Sequence, residues 1–323
     1  MLFRSNQTDD LSQRHTGAAS RRGATAEAYS TELDPGHDVL EPTRLASPLV
    51  FSSPHSGSVY PADFLAASVL DPLSLRRSED AYVDELFRGA ARVGAPMLRA
   101  HFPRAFLDVN REPYELDQRM FDERLPPYAN TRSMRVAGGL GTIARVVGEA
   151  REIYGKRLPV SEALRRIETL YKPWHARLRS LMNEAERSFG VAALIDCHSM
   201  PSGVARGRGD ESLRADIVLG DRYGTSCDPA LIEAAETLLR RRGYNVLRNK
   251  PYAGGFITEH YGNPSLGWHA LQIELNRALY MDEKTLERSS GFEPLIADLA
   301  SMIDALADVA LRALPGRRAA AAE

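Results

Sequence analysis

Two segments of this chain end an apolar run abruptly in a histidine flanked by small polar residues. One is Ala192-Ala193-Leu194-Ile195-Asp196-Cys197-His198-Ser199-Met200-Pro201; the other is Leu49-Val50-Phe51, which leads into Ser52-Ser53-Pro54-His55-Ser56-Gly57. Read as strands, both deliver an imidazole at a carboxyl end, where the ligand crevice of an open α/β sheet lies. A lone histidine in apolar surroundings is more often a hydrogen-bonded core residue than a ligand, but two at matching strand ends point to metal. Neutral imidazole suits zinc, whose catalytic sites take three protein ligands and a water. A third ligand is therefore required. The nearest acids lie in Ser78-Glu79-Asp80-Ala81-Tyr82-Val83-Asp84, where Asp80 opens a stretch of helical periodicity. The competing reading of Asp80 is a charge that complements the N-terminal end of a helix dipole.

Two further segments carry reactive side chains. In Phe106-Leu107-Asp108-Val109-Asn110-Arg111-Glu112-Pro113 an amide and a guanidinium follow an apolar run. Arg grips a carboxylate bidentately and Asn adds a hydrogen bond; alternatively Arg111 pairs with Glu112 or Asp108. In Leu271-Gln272-Ile273-Glu274-Leu275-Asn276-Arg277 a carboxylate sits between apolar neighbours, which is unfavourable unless it has a partner or a task. On a central strand Glu274 could be a general base with a pKa adjusted by burial; on an edge strand it merely faces solvent. The glycine-rich stretch 251–262 lets backbone approach a small ligand, lacks both nucleotide-binding glycine patterns, and places His260 as a substrate contact or alternative ligand.

The elements that must position these groups alternate. Strands are expected at 49–52, 97–100, 105–109, 193–196, 216–219, 245–248 and 267–274, and helices at 80–93, 160–187, 229–242 and 294–314, with Pro173 kinking or ending the second helix. That order predicts a three-layer α/β/α sandwich with a central sheet. The loop 117–141 is long for a compact domain, and such loops are often functional. The chain has 323 residues, 43% hydrophobic and 26% charged, with a net charge of -2. This is ordinary globular composition with no electrostatic case for nucleic acid or membrane partners. Two cysteines are too few for a disulfide framework and suit a reduced, cytoplasmic chain. Residues 1–35 hold no apolar run long enough for a signal peptide or membrane span and read as a flexible extension, 36–314 as one catalytic domain, and 315–323 as a tail.

Taken together, Ser53-Pro54-His55-Ser56-Gly57, Asp80 with Val83-Asp84, Asp108-Val109-Asn110-Arg111, Asp196-Cys197-His198-Ser199-Met200, Gly220-Asp221-Arg222-Tyr223-Gly224, Pro251-Tyr252-Ala253-Gly254-Gly255 and Gln272-Ile273-Glu274-Leu275-Asn276-Arg277 resemble, in order, the motifs of N-formylglutamate amidohydrolases. Each motif alone is weak; the ordered set is specific and spans about residues 50–282. The resemblance implies a zinc-dependent hydrolase of the phosphorylase/hydrolase-like fold, related to zinc carboxypeptidases and aspartoacylase, with a mixed central sheet. It implies cleavage of N-formyl-L-glutamate to formate and glutamate in histidine breakdown. Carried over by residue, His55 and His198 are metal ligands, Glu274 the general base, and Asn110 with Arg111 the clamp for a substrate carboxylate. Zinc carboxypeptidases place a glutamate ligand three residues after the first histidine. Here that position is Ser58, so the acid comes from elsewhere: Asp80, with Glu79 as the fallback. Arg145 is the candidate to face the formyl oxygen. The alternatives are another N-acyl acidic amino acid or small peptide as substrate, or a metal-binding homologue without catalysis.

Overall fold

The computed structural model describes residues 32–205, 215–314 and 316. The expected extension, apart from 32–35, and the expected tail, apart from Gly316, lie outside the described residues.

Strands whose residues are buried on both faces belong in the middle of a sheet, and two long ones here qualify. β6 (Ala192–Met200) is buried throughout, and β9 (Trp268–Asn276) is buried at every residue but its first. They lie side by side in a seven-stranded sheet of order β1-β3-β2-β6-β9-β7-β8, completed by β1 (His37–Leu40), β2 (Leu49–Ser53), β3 (Met97–Ala100), β7 (Ile217–Gly220) and β8 (Val246–Arg248). β3, β2, β6 and β9 run parallel, while β1 is antiparallel to β3 and β7 to β9, so the sheet is mixed. A two-stranded ribbon, β4 (Val146–Val147) with β5 (Arg151–Glu152), stands apart.

Side chains alternate between faces along a strand, and here the alternation sorts two cores. Leu49, Phe51, Ala193, Ile195, Cys197, Leu271, Ile273 and Leu275 face the helices Pro229–Arg241 and Phe292–Arg312. Val50, Ala192, Leu194 and Ala270 face the helix Lys172–Phe189, whose Trp174, Leu178 and Leu181 are buried. This is the expected three-layer α/β/α sandwich. The same parity carries Asp196, His198, Gln272 and Glu274 to the second face, at the carboxyl ends of β6 and β9, where the apolar layer gives way to polar side chains. No helix among the described residues is long and apolar enough to cross a membrane.

Some expected elements differ. The segment 105–109 forms turns instead of a strand: Phe106 and Leu107 both donate their amides to the Pro103 carbonyl, and the apolar side chains are buried from irregular backbone. The helix expected from Asp80 starts only at Val83, because Tyr82 takes a left-handed conformation (φ 66°), and it passes at Arg88 into a 3₁₀ turn. Asp80 is therefore not a helix-dipole charge. Pro173 does not end its helix. A π-helical turn, Ile167–Tyr171, precedes it, and widening of this kind accommodates a ring that would otherwise strike the carbonyl one turn back.

The helix Lys172–Phe189 also braces the site from behind. His175 Nε2 lies 2.9 Å from the Val109 carbonyl and Nδ1 3.0 Å from the Tyr261 hydroxyl, and Tyr171 donates to the Arg111 carbonyl at 2.7 Å. Burial lowers the His175 pKa to about 3, against the opposing hydrogen bond to Val109. Because the unfolded value is near 6.5, the stability this ring contributes is complete above pH ~6.5. It drains as pH falls toward 3, by up to about 1.4 kcal/mol per pH unit. In urea titrations between pH 7 and 4.5, His175→Gln is expected to lower stability at pH 7 but to flatten its pH dependence. An unchanged pH slope would reject the assignment.

Candidate metal and catalytic site

The loop leaving β2 turns back on itself through Ser53 and Ser56, whose hydroxyls lie 2.8 Å apart, and the His55 carbonyl accepts from Asp80 N at 3.0 Å. That backbone bond brings Asp80 to the first histidine. The second arrives on β6, where His198 is the register partner of Glu274 and Asp196 that of Gln272. The side chains of His55, Asp80, Asp196, His198, Gln272 and Glu274 are all buried.

His55, Asp80 and His198 offer ligand atoms that all lie within 4.8 Å of one another. Each ring is oriented through its Nε2. His55 Nε2 lies 2.8 Å from Asp108 Oδ1, and His198 Nε2 lies 3.0 Å from Asp196 Oδ2. A carboxylate on one ring nitrogen leaves the other as the lone-pair donor, as is usual for metal-ligating histidines. Both Nδ1 atoms then turn to the same oxygen, Asp80 Oδ2, at 3.3 Å for His55 and 2.9 Å for His198. His55 Nδ1 is buried without any hydrogen-bond partner, which is uncommon in a folded protein. The other Asp80 oxygen is held by Arg277 Nη2 at 3.0 Å and Ser199 Oγ at 3.1 Å. Charge agrees with geometry. Against the effect of burial, Asp196 and Asp80 raise the His198 pKa well above its ordinary value, while His198 and His55 hold Asp80 well below the carboxylate range. A pocket that draws a proton onto His198 equally favours a cation between these donors, so the residues fit a divalent metal.

Around the cluster lies a cavity of about 640 Å³, lined among others by His55, Asp80, Asn110, Arg111, His198 and Glu274. Burial pushes the Glu274 pKa up to about 7, and Gln272 Nε2 donates to Glu274 Oε1 at 2.8 Å. The Gln272 amide is itself fixed by Gly255 N, which donates to Oε1 at 2.7 Å. Asn110 Oδ1 accepts from Ile257 N at 2.8 Å, and its Nδ2 lies 3.1 Å from His198 Nε2. A Cβ on Gly255 would stand 2.5 Å from the Asn110 amide, so a side chain at 255 would displace Asn110. Arg111 donates to the carbonyls of Leu140 (2.9 Å) and Asn110 (2.7 Å).

Three expected site residues lie elsewhere. Glu79, the alternative ligand, is taken up by the Tyr60 hydroxyl at 2.7 Å and Arg76 Nε at 3.1 Å. His260 is exposed, stacks on Phe256 and meets Arg179, outside the cavity. Arg145 is committed to Asp117 (2.9 Å) and Glu152 (2.6 Å) and does not line the cavity either. Arg104, absent from the sequence reading, does line it, donating to Asp108 Oδ2 at 2.9 Å. Its position in His101-Phe102-Pro103-Arg104-Ala105, ahead of an apolar run, carries no signal of a site; only the turn at Pro103 brings it in.

Residues 47–281 match the model of the N-formylglutamate amidohydrolase family. The chain belongs to that family. Among its relatives, the N-formylglutamate deformylase of Pseudomonas putida is 30% identical over 73% of this chain and 82% of its own length. The deformylase of Pseudomonas aeruginosa is 30% identical over 76% and 87% respectively. The crystal structure of N-formylglutamate amidohydrolase from Ralstonia eutropha JMP134 superposes with a TM-score of 0.80 at 38% identity, covering 86% of this chain and 99% of that one. The gene product Atu2144 from Agrobacterium tumefaciens, 16% identical with a TM-score of 0.61 over 85% of this chain and 96% of its own, shares the fold of this amidohydrolase.

Proposed function

We propose that this chain is a zinc-dependent amidohydrolase that cleaves N-formyl-L-glutamate to formate and L-glutamate, with residues 36–314 as its catalytic domain. The observation that carries the reading is the register of the two central strands, which sets the candidate base Glu274 directly beside His198 of the metal cluster, in one cavity. Family membership supplies the substrate class; the role in histidine breakdown and a cytoplasmic location belong to the same proposal, the latter in keeping with free, buried Cys197 and Cys227.

His55, Asp80 and His198 would hold a zinc ion, which when bound would supply Lewis acidity toward the formyl oxygen and lower the pKa of water. Glu274 takes the proton of the attacking water on its carboxylate and returns it to the leaving nitrogen, a task suited to a base with a pKa near 7. Gln272 holds that carboxylate in place through Oε1. Asn110 and Arg111 receive a substrate carboxylate and supply orientation. Arg104 replaces Arg145 as the cation near the developing charge on the formyl oxygen, because it is a cavity-lining arginine whose field reaches Glu274.

The deciding experiment measures formate release from N-formyl-L-glutamate by purified protein, before chelation, after it, and with zinc restored. Release that disappears with chelator and returns with zinc is the expected result. If zinc-replete protein releases no formate yet hydrolyses N-acetylglutamate, the chemistry stands and the acyl group changes. If it hydrolyses neither, the catalytic reading fails.

A further inference from the structure

The motif Gly220-Asp221-Arg222-Tyr223-Gly224 has no part in the chemistry described so far, yet it is the most strained backbone beside the cavity. Arg222, Tyr223 and Gly224 are consecutive left-handed residues, with φ of 52°, 57° and 84°. Residues other than glycine enter that region rarely, and such outliers gather at ligand sites where the surroundings hold them in place. Here Asp221 and Asn249 do the holding. Asp221 is buried and its carbonyl caps Gly224 N, Thr225 N and Ser226 N. Asn249 Nδ2 donates to Asp221 Oδ1 at 2.7 Å, and Asn249 Oδ1 accepts from the amides of Asp221 and Tyr223 at 3.1 and 3.2 Å. Of the three left-handed residues, Arg222 is the one that lines the cavity.

Arg222 is also placed next to the proposed carboxylate clamp. Its Cδ lies 3.0 Å from where a Cβ on Gly254 would stand, and the next residue, Gly255, abuts the Asn110 amide. Two adjacent glycines thus separate the Arg222 stem from Asn110. Two other cavity-lining arginines are held by buried carboxylates, Arg104 by Asp108 and Arg277 by Asp80. Among the described residues Arg222 pairs with Glu259 (2.8 Å), which is 60% exposed, and donates weakly to the Gly254 carbonyl at 3.3 Å. An ion pair so exposed is worth little, and a substrate carboxylate can replace it.

Given the N-formylglutamate reading, which this inference extends, the substrate carries two carboxylates. We propose that Arg222 receives the side-chain carboxylate while Asn110 and Arg111 receive the α-carboxylate, making Arg222 the residue that selects N-formylglutamate over its neutral isostere N-formylglutamine.

The test compares kcat/KM for N-formyl-L-glutamate and N-formyl-L-glutamine. The unaltered enzyme is expected to favour the glutamate by about 10- to 100-fold, the range of a hydrogen bond to a charged group. Arg222→Met is expected to bring that ratio close to one by raising KM for N-formylglutamate, with kcat and the constants for N-formylglutamine little changed. Glu259→Gln, which frees Arg222, is expected to lower KM for N-formylglutamate, and it keeps the idea testable should Arg222→Met misfold. An equal loss on both substrates, an unchanged ratio, or collapse of the ratio in Arg77→Met instead of Arg222→Met would overturn the assignment. Hydrolysis of both substrates with equal efficiency by unaltered enzyme overturns it while leaving the amidohydrolase reading intact; hydrolysis of neither strikes at that reading itself.

Discussion

Replacing Glu274 by Gln is expected to reduce formate release by about 10²- to 10⁴-fold, the usual contribution of general acid–base catalysis, with zinc content unchanged. The substitution keeps volume and leaves an oxygen for the Gln272 amide to bind, so the strand and the cavity persist and only the proton acceptor is lost. kcat and metal content measured on the same sample separate this from collapse of the site. Activity within tenfold of normal would place the base elsewhere. The pH dependence has a definite sign. Glu274 works deprotonated, so kcat/KM falls as pH drops through its pKa. Burial, opposed by the charges of His198 and Arg104, sets that pKa at about 7, which puts the acid limb near neutrality.

Asp80→Asn is expected to strip the metal, weakening zinc affinity by more than the roughly 10- to 100-fold typical of losing an outer partner of a ligand. Asp80 Oδ2 is the point on which both Nδ1 atoms converge, and an amide brings neither the charge nor two acceptor oxygens. A second effect follows from Arg277, which is buried and ion-paired to Asp80 at 3.0 Å. Removing one member of a buried pair is destabilising, by about 3–5 kcal/mol when nothing replaces it, so the metal-free variant is also expected to melt below the metal-free parent. Glu79→Gln is the companion measurement. Its carboxylate binds Tyr60 and Arg76, so zinc stoichiometry is expected to be retained. Loss of zinc in Glu79→Gln with retention in Asp80→Asn would exchange their roles.

The strand-end histidines were legible in the sequence because parallel strands at the centre of a sheet write themselves as apolar runs, and a polar residue that interrupts one marks the functional edge. Glu274 was legible for the same reason, and its two readings were decided by where β9 lies: between β6 and β7, not at the sheet margin. Asp80 was ambiguous because local periodicity could not reveal that Tyr82 breaks the helix behind it. The expected strand at 105–109 failed because buried apolar side chains need not sit on regular backbone. Arg104 and Arg145 were confused for a related reason. Which arginine enters a cavity depends on tertiary pairing, here Asp108 for one and Asp117 for the other, and nothing in the neighbouring residues encodes it.

The order of strands in the sheet also dictates when the enzyme can come into being. Ser52 bonds Asp196 across 144 residues of chain, His198 meets Asp80 across 118, and Arg277 reaches Asp80 across 197. At ~5–20 residues per second a ribosome needs several seconds between delivering β6 and delivering β9. Throughout that interval the edge of β6 that will carry β9 has no mate, and the pocket has neither its base nor the arginine that steadies Asp80. The three candidate metal ligands are all present once β6 is delivered, but until β9 follows the nascent chain must be kept from pairing that open edge with a neighbour.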